Sequence, residues 1–381
     1  MRNVFLAIVG AVSIVPAWAA EPRARDLGVP FDLGKPGRWN AITDIPGVEV
    51  GHATLIEGDS VRTGVTAILP RGRGDEARWP CLGGYFSQNG NGEMTGIHWV
   101  EESGMVEGPI VITNTNAVGI VRDAVIQYAA RRWPPKGDDW TVWSLPIVAE
   151  TWDGGLNDIY RTSVRAEDLF KAIDTARAGP VPEGNVGGGT GMVCYEFKGG
   201  IGTASRLLPE SEGGYTIGVL VQANHGVRHQ LRIAGLPVGQ ELPEGSRPSN
   251  ESGSIIIVVG TDAPLLPHQL KRLARRATLG LARTGAASGN GSGDIFIAFS
   301  TANSRAGVAE GIVQLDMLPN DRMDPLFEAT VGATEEAIVN ALVAARTMTG
   351  FHGHTVAALP HDKLQEILRR HGVLKSAPAV P

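Results

Sequence analysis

Residues 253–265 read GSIIIVVGTDAPL and predict a buried strand that begins at a serine. Within this stretch, residues 254–260 form a short apolar run, β-branched at most positions, which is typical of a strand covered on both faces. The preceding residues, LPEGSRPSNESG at 242–253, are rich in turn formers and predict an exposed linker. Ser254 therefore stands at the first position of a buried strand, directly after a linker.

The glycine-serine junction at this boundary carries a specific chemistry. If the peptide bond between Gly253 and Ser254 is cut, the serine hydroxyl and a new α-amine belong to one residue. An α-amine has a reference pKa near ~7.7–8.0, so it can accept a proton near neutral pH without a histidine base. Gly253 lacks a Cβ and tolerates the strained conformation that attack on its carbonyl requires. On this chemistry alone, the simpler interpretation of an ordinary strand start is favoured.

The rest of the chain alternates short apolar runs, broken by glycine, with segments of helical spacing. Several strands with long helices on both sides predict a layered α/β/β/α or mixed-sheet architecture. The single βαβ rhythm of a Rossmann sheet is absent, and the sequence contains no internal repeat. The helices are expected at residues 118–132, 166–178, from Asp262 to about 282, 324–348 and 362–371.

Four further blocks of sequence accompany residues 253–265. They read NAITDIPGVEVGH at 40–52, ETWDG at 150–154, GTGM at 189–192 and QAN at 222–224. In this order they resemble the DmpA-type family of L-aminopeptidase/D-esterases and β-peptidyl aminopeptidases. The resemblance implies a four-layer α/β/β/α sandwich with mixed sheets of the N-terminal-nucleophile type. It also implies self-cleavage, no cofactor, no metal and a homo-oligomer, specifically a tetramer.

The same resemblance assigns the two products of self-cleavage and the groups that react. An α chain of residues 20–253 and a β chain of residues 254–381 form one intertwined catalytic domain. Ser254 is the nucleophile, and its freed α-amine is the base. Ser292 and Asp294 correspond to a Ser-Gly-acidic element beside the nucleophile. Independently, a Ser-x-Asp pair in an extended segment places both side chains on one face, although a capped turn is the alternative.

Three more residues receive roles from the resemblance. Asn224 follows a predicted strand, and its amide can donate to an oxyanion, although a turn-forming Asn is the alternative. Glu150 corresponds to the carboxylate that receives the free amino group of the substrate, where a paired structural Glu is the alternative. Trp152 departs from the family pattern, because some members have tyrosine here. An indole donates only through Nε1–H and is larger, which puts an oxyanion role in doubt and affects which substrates fit.

Other motifs suggest chemistry less specifically. The glycine run at 187–191 lacks the Gly-Lys-Ser/Thr ending of a phosphate-binding loop, so a backbone turn is the better interpretation. His352 and His354 lack the further ligands that a zinc site needs. Cys81 and Cys194 are the only cysteines, and the sequence leaves open whether they pair.

The amino terminus predicts export. Arg2 precedes an apolar run at 4–15, and Ala-Trp-Ala at 17–19 offers small residues for a signal peptidase. We therefore expect residues 1–19 to be a signal peptide and the mature protein to be periplasmic or secreted, free of the membrane. A buried amino-terminal helix is the alternative.

Composition excludes one class of partner and leaves the enzymatic interpretation. The formal net charge is −6 and no Lys/Arg cluster occurs, which disfavours nucleic acid. We expect a self-processed hydrolase that acts on small peptides, amides or esters through an acyl-enzyme on Ser254. An acyl transferase of the ornithine acetyltransferase type is one alternative, although its nucleophile is threonine and its substrate is cytosolic. A periplasmic binding protein that never matures is the other. The preference among L-, D- and β-amino acids stays open.

Overall fold

The computed structural model describes residues 21–134, 143–245, 252–307 and 311–374 of the 381-residue chain. The expected signal peptide at 1–19 lies outside these residues. The strands are β1 (Glu49–Glu57), β2 (Val61–Leu69), β3 (Cys81–Ser87), β4 (Met105–Val106), β5 (Ile110–Asn114), β6 (Ile147–Thr151), β7 (Val193–Cys194), β8 (Phe197–Lys198), β9 (Gly200–Leu207), β10 (Thr216–Asn224), β11 (Ser252–Thr261), β12 (Gly291–Ser300), β13 (Met348–Thr349) and β14 (Thr355–Val356). The helices are α1 (Ile97–Ser103), α2 (Val118–Arg132), α3 (Ala166–Asp174), α4 (Val238–Glu241), α5 (Pro267–Arg283), α6 (Asp324–Ala344) and α7 (His361–Arg370).

Two mixed sheets contain most of these strands. A four-stranded sheet has the order β1-β2-β5-β6, and a six-stranded sheet has the order β4-β3-β12-β11-β10-β9. The pairs β5–β6 and β11–β12 are parallel, and the other neighbours within the two sheets are antiparallel. The strands β7–β8 and β13–β14 form separate small ladders.

The two sheets lie face to face between helical layers. One apolar core fills the space between the sheets, with Ile112 from one and Ile256 from the other. A second core lies between the six-stranded sheet and helices α5 to α7, and a third between the four-stranded sheet and α2 and α3. The expected four-layer α/β/β/α sandwich is thus confirmed.

Strand β11 is buried on both faces, as its apolar run predicted. Ile255, Ile257 and Val259 belong to the core under the helices, whereas Ile256 and Val258 belong to the core between the sheets. Because side chains alternate along a strand, a central strand needs apolar residues at consecutive positions. This alternation also determines which way Ser254 points.

The helix expected from Asp262 begins later, at Pro267. The side chain of Asp262 accepts a hydrogen bond from Thr216 N at 2.7 Å, so it ties the end of β11 to β10. Pro267 occupies the first helical turn, and Gln269 Oε1 accepts from Leu266 N at 3.0 Å. A proline in the first turn and a glutamine that reaches back are start signals in their own right. The expected helices at 118–132, 166–178, 324–348 and 362–371 are observed with ends shifted by up to four residues.

The two cysteines are free thiols in different cores. Cys81 lies between the sheets and Cys194 under the helices, and both are buried. Burial raises the pKa of Cys81 to about 11, with the charge of Arg71 acting in the opposite direction. Within the part of the chain described here, no helix is long and apolar enough to cross a membrane.

A buried ion cluster fastens the amino-terminal segment to helix α6. Glu336, which has no exposed surface, pairs with Arg25 at 2.7 Å and with Arg206 at 2.9 Å, and Asn40 donates to it at 2.6 Å. Burial opposes its ionisation, but the hydrogen bond from Arg25 and the charge of Arg206 together lower the pKa of Glu336. Its contribution to stability is therefore present at neutral pH and is lost as the pH falls through this lowered pKa.

We predict that Glu336→Gln destabilises the protein by about 3–5 kcal/mol, because Arg206 would keep a buried charge without its counter-ion. The measurement is the free energy of unfolding in urea. Glu328→Gln, at an exposed position of the same helix, is the control and should change it by less than about 0.5 kcal/mol. Equal stability of the two variants would show that the cluster contributes nothing.

Candidate active site

Ser254 lies at the end of the six-stranded sheet, between two neighbouring strands. In register, it faces Asn224 of β10 on one side and Gly293 of β12 on the other. Its side chain is buried, and Ser254 Oγ accepts a hydrogen bond from Gly293 N at 3.1 Å. Alternation along β11 directs Ser254 and its partner Asn224 toward the four-stranded sheet. The hydroxyl thus faces the gap between the two sheets.

Gly253 occupies a backbone position that only glycine fits. Its φ is +141°, a region that L side chains rarely adopt. An added Cβ would lie 2.2 Å from the carbonyl oxygen of Asn224. The residue before the nucleophile is therefore held in an unusual conformation by close contact with β10.

Asn224 has both ends of its amide fixed. Its Oδ1 accepts from Val193 N at 2.8 Å, and its Nδ2 donates to Trp152 O at 3.0 Å. An amide nitrogen has two hydrogens, so one further donor is available beside Ser254. This arrangement suits the stabilisation of an oxyanion.

Ser292 and Asp294 are hydrogen-bonded to each other but do not reach the Ser254 hydroxyl. Ser292 Oγ donates to Asp294 Oδ1 at 2.5 Å, which places both side chains on one face as expected. In register, Ser292 pairs with Gly253 and Asp294 with Ile255, so this face points toward the helices, away from Ser254 Oγ. Ser292 and Asp294 therefore lie next to Ser254 through the backbone of their strand, not through their side chains.

The carboxyl group of Asp294 is stabilised by uncharged neighbours. Burial raises its pKa, while the side chains of Ser292 and Ser288 and the backbone of Ile255 act in the opposite direction by hydrogen bonding. The backbone of Ile255 is one peptide unit from the nitrogen that cleavage would turn into an amine. A carboxylate here can thus attract a positive charge on that nitrogen.

Glu150 is the fourth residue of β6, and its side chain is buried. Its Oε1 accepts from Glu93 N at 2.9 Å, and its Oε2 accepts from Thr115 Oγ1. Within the described residues, no Lys, Arg or His forms an ion pair with this carboxylate. Burial raises its pKa, and the hydrogen bonds from Thr115 and Glu93 oppose this shift. The site thus contains a buried carboxyl group that has no cation as a partner among the described residues.

Gly92 brings Glu150 close to the nucleophile strand. A Cβ at Gly92 would lie 3.1 Å from Gly293 Cα and 3.3 Å from Glu150 Oε1. Only one glycine thus separates the carboxylate from the residue that holds the Ser254 hydroxyl. Gly92 itself occupies the space between them.

The loop that contains Gly92 was missed by reasoning from the sequence. Asn89 Oδ1 accepts from Asp294 N at 2.7 Å, and Asn91 Nδ2 donates to Gly291 O at 2.8 Å. The loop therefore links the Asp294 strand to Glu150. Its sequence, QNGNGE at 88–93, contains two Asn-Gly pairs, a turn signal that could have drawn attention to it.

Trp152 lies at the protein surface, directly after β6. Its side chain is 54% exposed, and its indole covers Gly154, where an added Cβ would lie 2.4 Å from the ring. The part of Trp152 that contacts Asn224 is its carbonyl oxygen, which accepts a hydrogen bond from Asn224 Nδ2. The doubt about an oxyanion role for the indole is consistent with this placement.

The two histidines singled out in the sequence lie near one another in a turn. His352 belongs to a short turn at Phe351–Gly353, and His354 Nδ1 lies 2.6 Å from Gly155 O. No group of three His, Cys, Asp or Glu side chains suited to a metal ion occurs in the described ranges of the chain.

Comparison with known proteins now assigns the chain. Its residues 40–356 match peptidase family S58. The chain belongs to this family. Among its relatives, the β-peptidyl aminopeptidase BapA of Sphingosinicella microcystinivorans is 51% identical, with 98% of both chains covered. BapA of Sphingosinicella xenopeptidilytica is 46% identical, with 92% of both covered.

Solved structures agree with this assignment. The L-aminopeptidase D-Ala-esterase/amidase of Ochrobactrum anthropi, described as a prototype of the serine aminopeptidases and a variant of the Ntn hydrolase fold, superposes with a TM-score of 0.88. It is 48% identical, and 93% of this chain and 100% of that one are covered. A β-aminopeptidase of a Burkholderia species gives a TM-score of 0.86 at 48% identity, covering 92% and 99%. The expected family, fold and enzyme class are confirmed: this S58 protein is a serine aminopeptidase.

We predict that the Gly253–Ser254 bond is cut and that Gly253→Ala slows this cut at least ~10-fold, because relieving the overlap with Asn224 O must move Ser254 from its register. The measurement is the rate at which two fragments appear on a denaturing gel. Gly235→Ala is the control, since Gly235 also has a positive φ, +76°, but nothing lies within 4 Å of its added Cβ. If both variants mature at the wild-type rate, the contact with β10 does not constrain the scissile bond.

Proposed function

We propose that this S58 peptidase cuts its own Gly253–Ser254 bond and then removes amino-terminal residues from short peptides, amides or esters. The observation that carries the proposal is the buried Glu150 carboxylate, which lacks a cation among the described residues and is separated by one glycine, Gly92, from Gly293, whose N–H holds the Ser254 hydroxyl. A buried carboxylate without a counter-ion attracts an ammonium group. The amino terminus of a peptide is such a group.

Self-cleavage begins with attack of Ser254 Oγ on the carbonyl carbon of Gly253. The C–N bond breaks, the nitrogen of Ser254 becomes a free amine, and Gly253 is left as an ester on the hydroxyl. Water then hydrolyses this ester, which gives a carboxyl terminus at Gly253 and an amino terminus at Ser254. The strained φ of Gly253 and the hydrogen bond from Gly293 N to Ser254 Oγ both support this step.

In turnover, the α-amine of Ser254 takes the proton of its own hydroxyl as Oγ attacks the substrate carbonyl. The proton passes to the leaving amine or alcohol, and the substrate residue remains as an acyl-enzyme until water releases it. Asn224 donates its free N–H to the oxyanion, and Asp294, fixed by Ser292, stabilises the ammonium form of the base. Trp152 limits which side chains of the substrate fit beside the site.

Glu150 restricts the enzyme to substrates with a free amino group. The names of the relatives, β-peptidyl aminopeptidase and L-aminopeptidase D-Ala-esterase/amidase, support this class of substrate. We include in the proposal the α chain of residues 20–253 and the β chain of 254–381, export through a signal peptide at 1–19, and assembly into a homo-oligomer, a tetramer.

Glu150→Gln should lower kcat/KM for substrates with a free amino group by about 10–150-fold, because a neutral amide replaces a charge-assisted hydrogen bond worth about 1.5–3 kcal/mol. Self-cleavage should stay near the wild-type rate, since no free amine occupies the site at that stage. The measurement compares an amino acid p-nitroanilide with its N-acetylated form, which should be poor for both enzymes.

Glu93→Gln is the matched control. The Glu93 side chain is exposed in the same loop, so its loss removes a nearby negative charge but keeps the backbone N–H that holds Glu150. It should alter kcat/KM by no more than about 3-fold, as expected for a screened surface charge. Unchanged kcat/KM in Glu150→Gln would remove Glu150 from the amine site.

A further inference from the structure

Lys198, the last residue of β8, carries a buried amino group surrounded by carbonyl oxygens. Its side chain has no exposed surface, and its Nζ donates to Gly189 O at 3.3 Å, Met192 O at 2.8 Å and Gly199 O at 2.8 Å. Among the described residues, no carboxylate forms an ion pair with it within 4.0 Å. Three N–H donors thus meet three acceptors.

This placement costs free energy that a methionine of similar length would avoid. Lysine is almost never fully buried unless it is paired. Desolvation lowers the pKa of Lys198 to about 7, with the charges of Cys194 and Asp153 acting in the opposite direction. An apolar side chain at this position would leave three buried carbonyl oxygens without this donor. Two of these oxygens also accept from backbone N–H groups, Met192 O from Gly199 N at 2.9 Å and Gly189 O from Met192 N at 3.3 Å. The amino group adds one donor shared by all three oxygens.

The converging backbone includes the glycine run noted in the sequence. Gly187–Gly189 forms a short 3₁₀ turn, and the chain then continues through Met192 to Val193 in β7. At Gly189 an added Cβ would lie 2.4 Å from Ile201 N, and at Gly191 it would lie 2.3 Å from Arg62 O. The glycines thus let the turn pass between neighbouring strands and present its carbonyl oxygens to Lys198.

One peptide unit connects Lys198 with the catalytic residues. The carbonyl oxygen of Met192 accepts from Lys198, and the N–H of the same planar peptide group, that of Val193, donates to Asn224 Oδ1 at 2.8 Å. Because the peptide group is rigid, fixing its oxygen fixes the direction of its N–H. A carbonyl that accepts from a positively charged donor also makes its own N–H a stronger donor.

The Val193 N–H in turn selects one orientation of the Asn224 amide. If the amide were flipped, its NH₂ group would face the Val193 N–H, and two donors would oppose each other. With Oδ1 held at Val193, Nδ2 points to Trp152 O and stays next to Ser254. Gly199 N also donates to Met192 O, at 2.9 Å, so Lys198 acts together with this backbone hydrogen bond in fixing which end of the amide is available to an oxyanion.

We propose that Lys198 is a positioning residue that orients the Asn224 amide through the Met192–Val193 peptide group. The inference rests on the proposed function, in which Asn224 stabilises the oxyanion. It assigns a role to the glycine run and to a buried lysine, neither of which enters the acyl-transfer steps themselves.

The test compares Lys198→Met and Lys198→Gln with wild type, using β-alanine and L-alanine p-nitroanilides and counting mature sites by the amino termini at Ser254. Lys198→Met should lower kcat at least ~10-fold with KM within ~2-fold, since oxyanion stabilisation acts in the transition state. Lys198→Gln keeps N–H donors and should recover part of the loss. Lys171→Met, at an exposed position of α3, should match wild type.

The same comparison in an Asn224→Ala background identifies the route. Asn224→Ala alone should lower kcat by about 10²–10³-fold, and adding Lys198→Met should then cost less than ~2-fold, because the two residues act as a unit. Three results would overturn the inference. The losses in kcat from Asn224→Ala and Lys198→Met could multiply in the double variant, or Lys198→Met alone could keep kcat within ~2-fold of wild type. The third result is failure of both Lys198 variants to give folded, mature protein. Lack of hydrolysis by wild type would instead overturn the proposed function.

Discussion

The register of β11 between β10 and β12 is the constraint on which the site depends. It places Ser254 beside Asn224 and Gly293, and it puts the Gly253 Cα against the carbonyl of Asn224. A slip by one residue would turn Ser254 toward the helices and send Ile255 into the gap between the sheets. Because both faces of β11 are buried, such a slip exchanges two well-filled cores and is strongly disfavoured. The packing of an apolar strand thus aims a polar nucleophile.

Three buried ionisable groups surround this strand end: Glu150, Asp294 and Lys198. Each is held by neutral hydrogen-bonding groups and forms no ion pair within 4.0 Å among the described residues. A salt bridge would neutralise the field of such a group, whereas hydrogen bonds from peptide groups and hydroxyls fix its position and leave its field available. Glu150 can then attract a substrate ammonium, and Asp294 the ammonium of the base. The distant cluster around Glu336 shows the other solution, in which buried charges pair and serve stability.

Much of this arrangement could be predicted from the sequence, for identifiable reasons. The β-branched run after Gly253 is a strong local signal, and helix α2 was placed at its observed bounds because its apolar positions recur at helical spacing. Ser254, Asn224 and Glu150 were assigned by resemblance. The structure pairs Ser254 with Asn224 and leaves one glycine, Gly92, between Glu150 and Gly293. The sequence did not predict that the side chains of Ser292 and Asp294 point away from Ser254 Oγ, because this orientation follows from pairing between strands distant in sequence. The loop that contains Gly92, at residues 88–93, and Lys198 were missed for the same reason. Their hydrogen-bond partners include backbone groups, which leave no pattern of side-chain types in the sequence.

Cleavage of the Gly253–Ser254 peptide bond would give Ser254 the α-amine that acts as the base. Intact-mass spectrometry of the purified protein, with amino-terminal sequencing, tests it. We expect two polypeptides, one of which begins at Ser254, and a single uncut polypeptide from the Ser254→Ala variant. A wild-type protein that remains continuous across Gly253–Ser254 while hydrolysing amino-terminal residues would contradict it, because Ser254 would then have no α-amine to act as base.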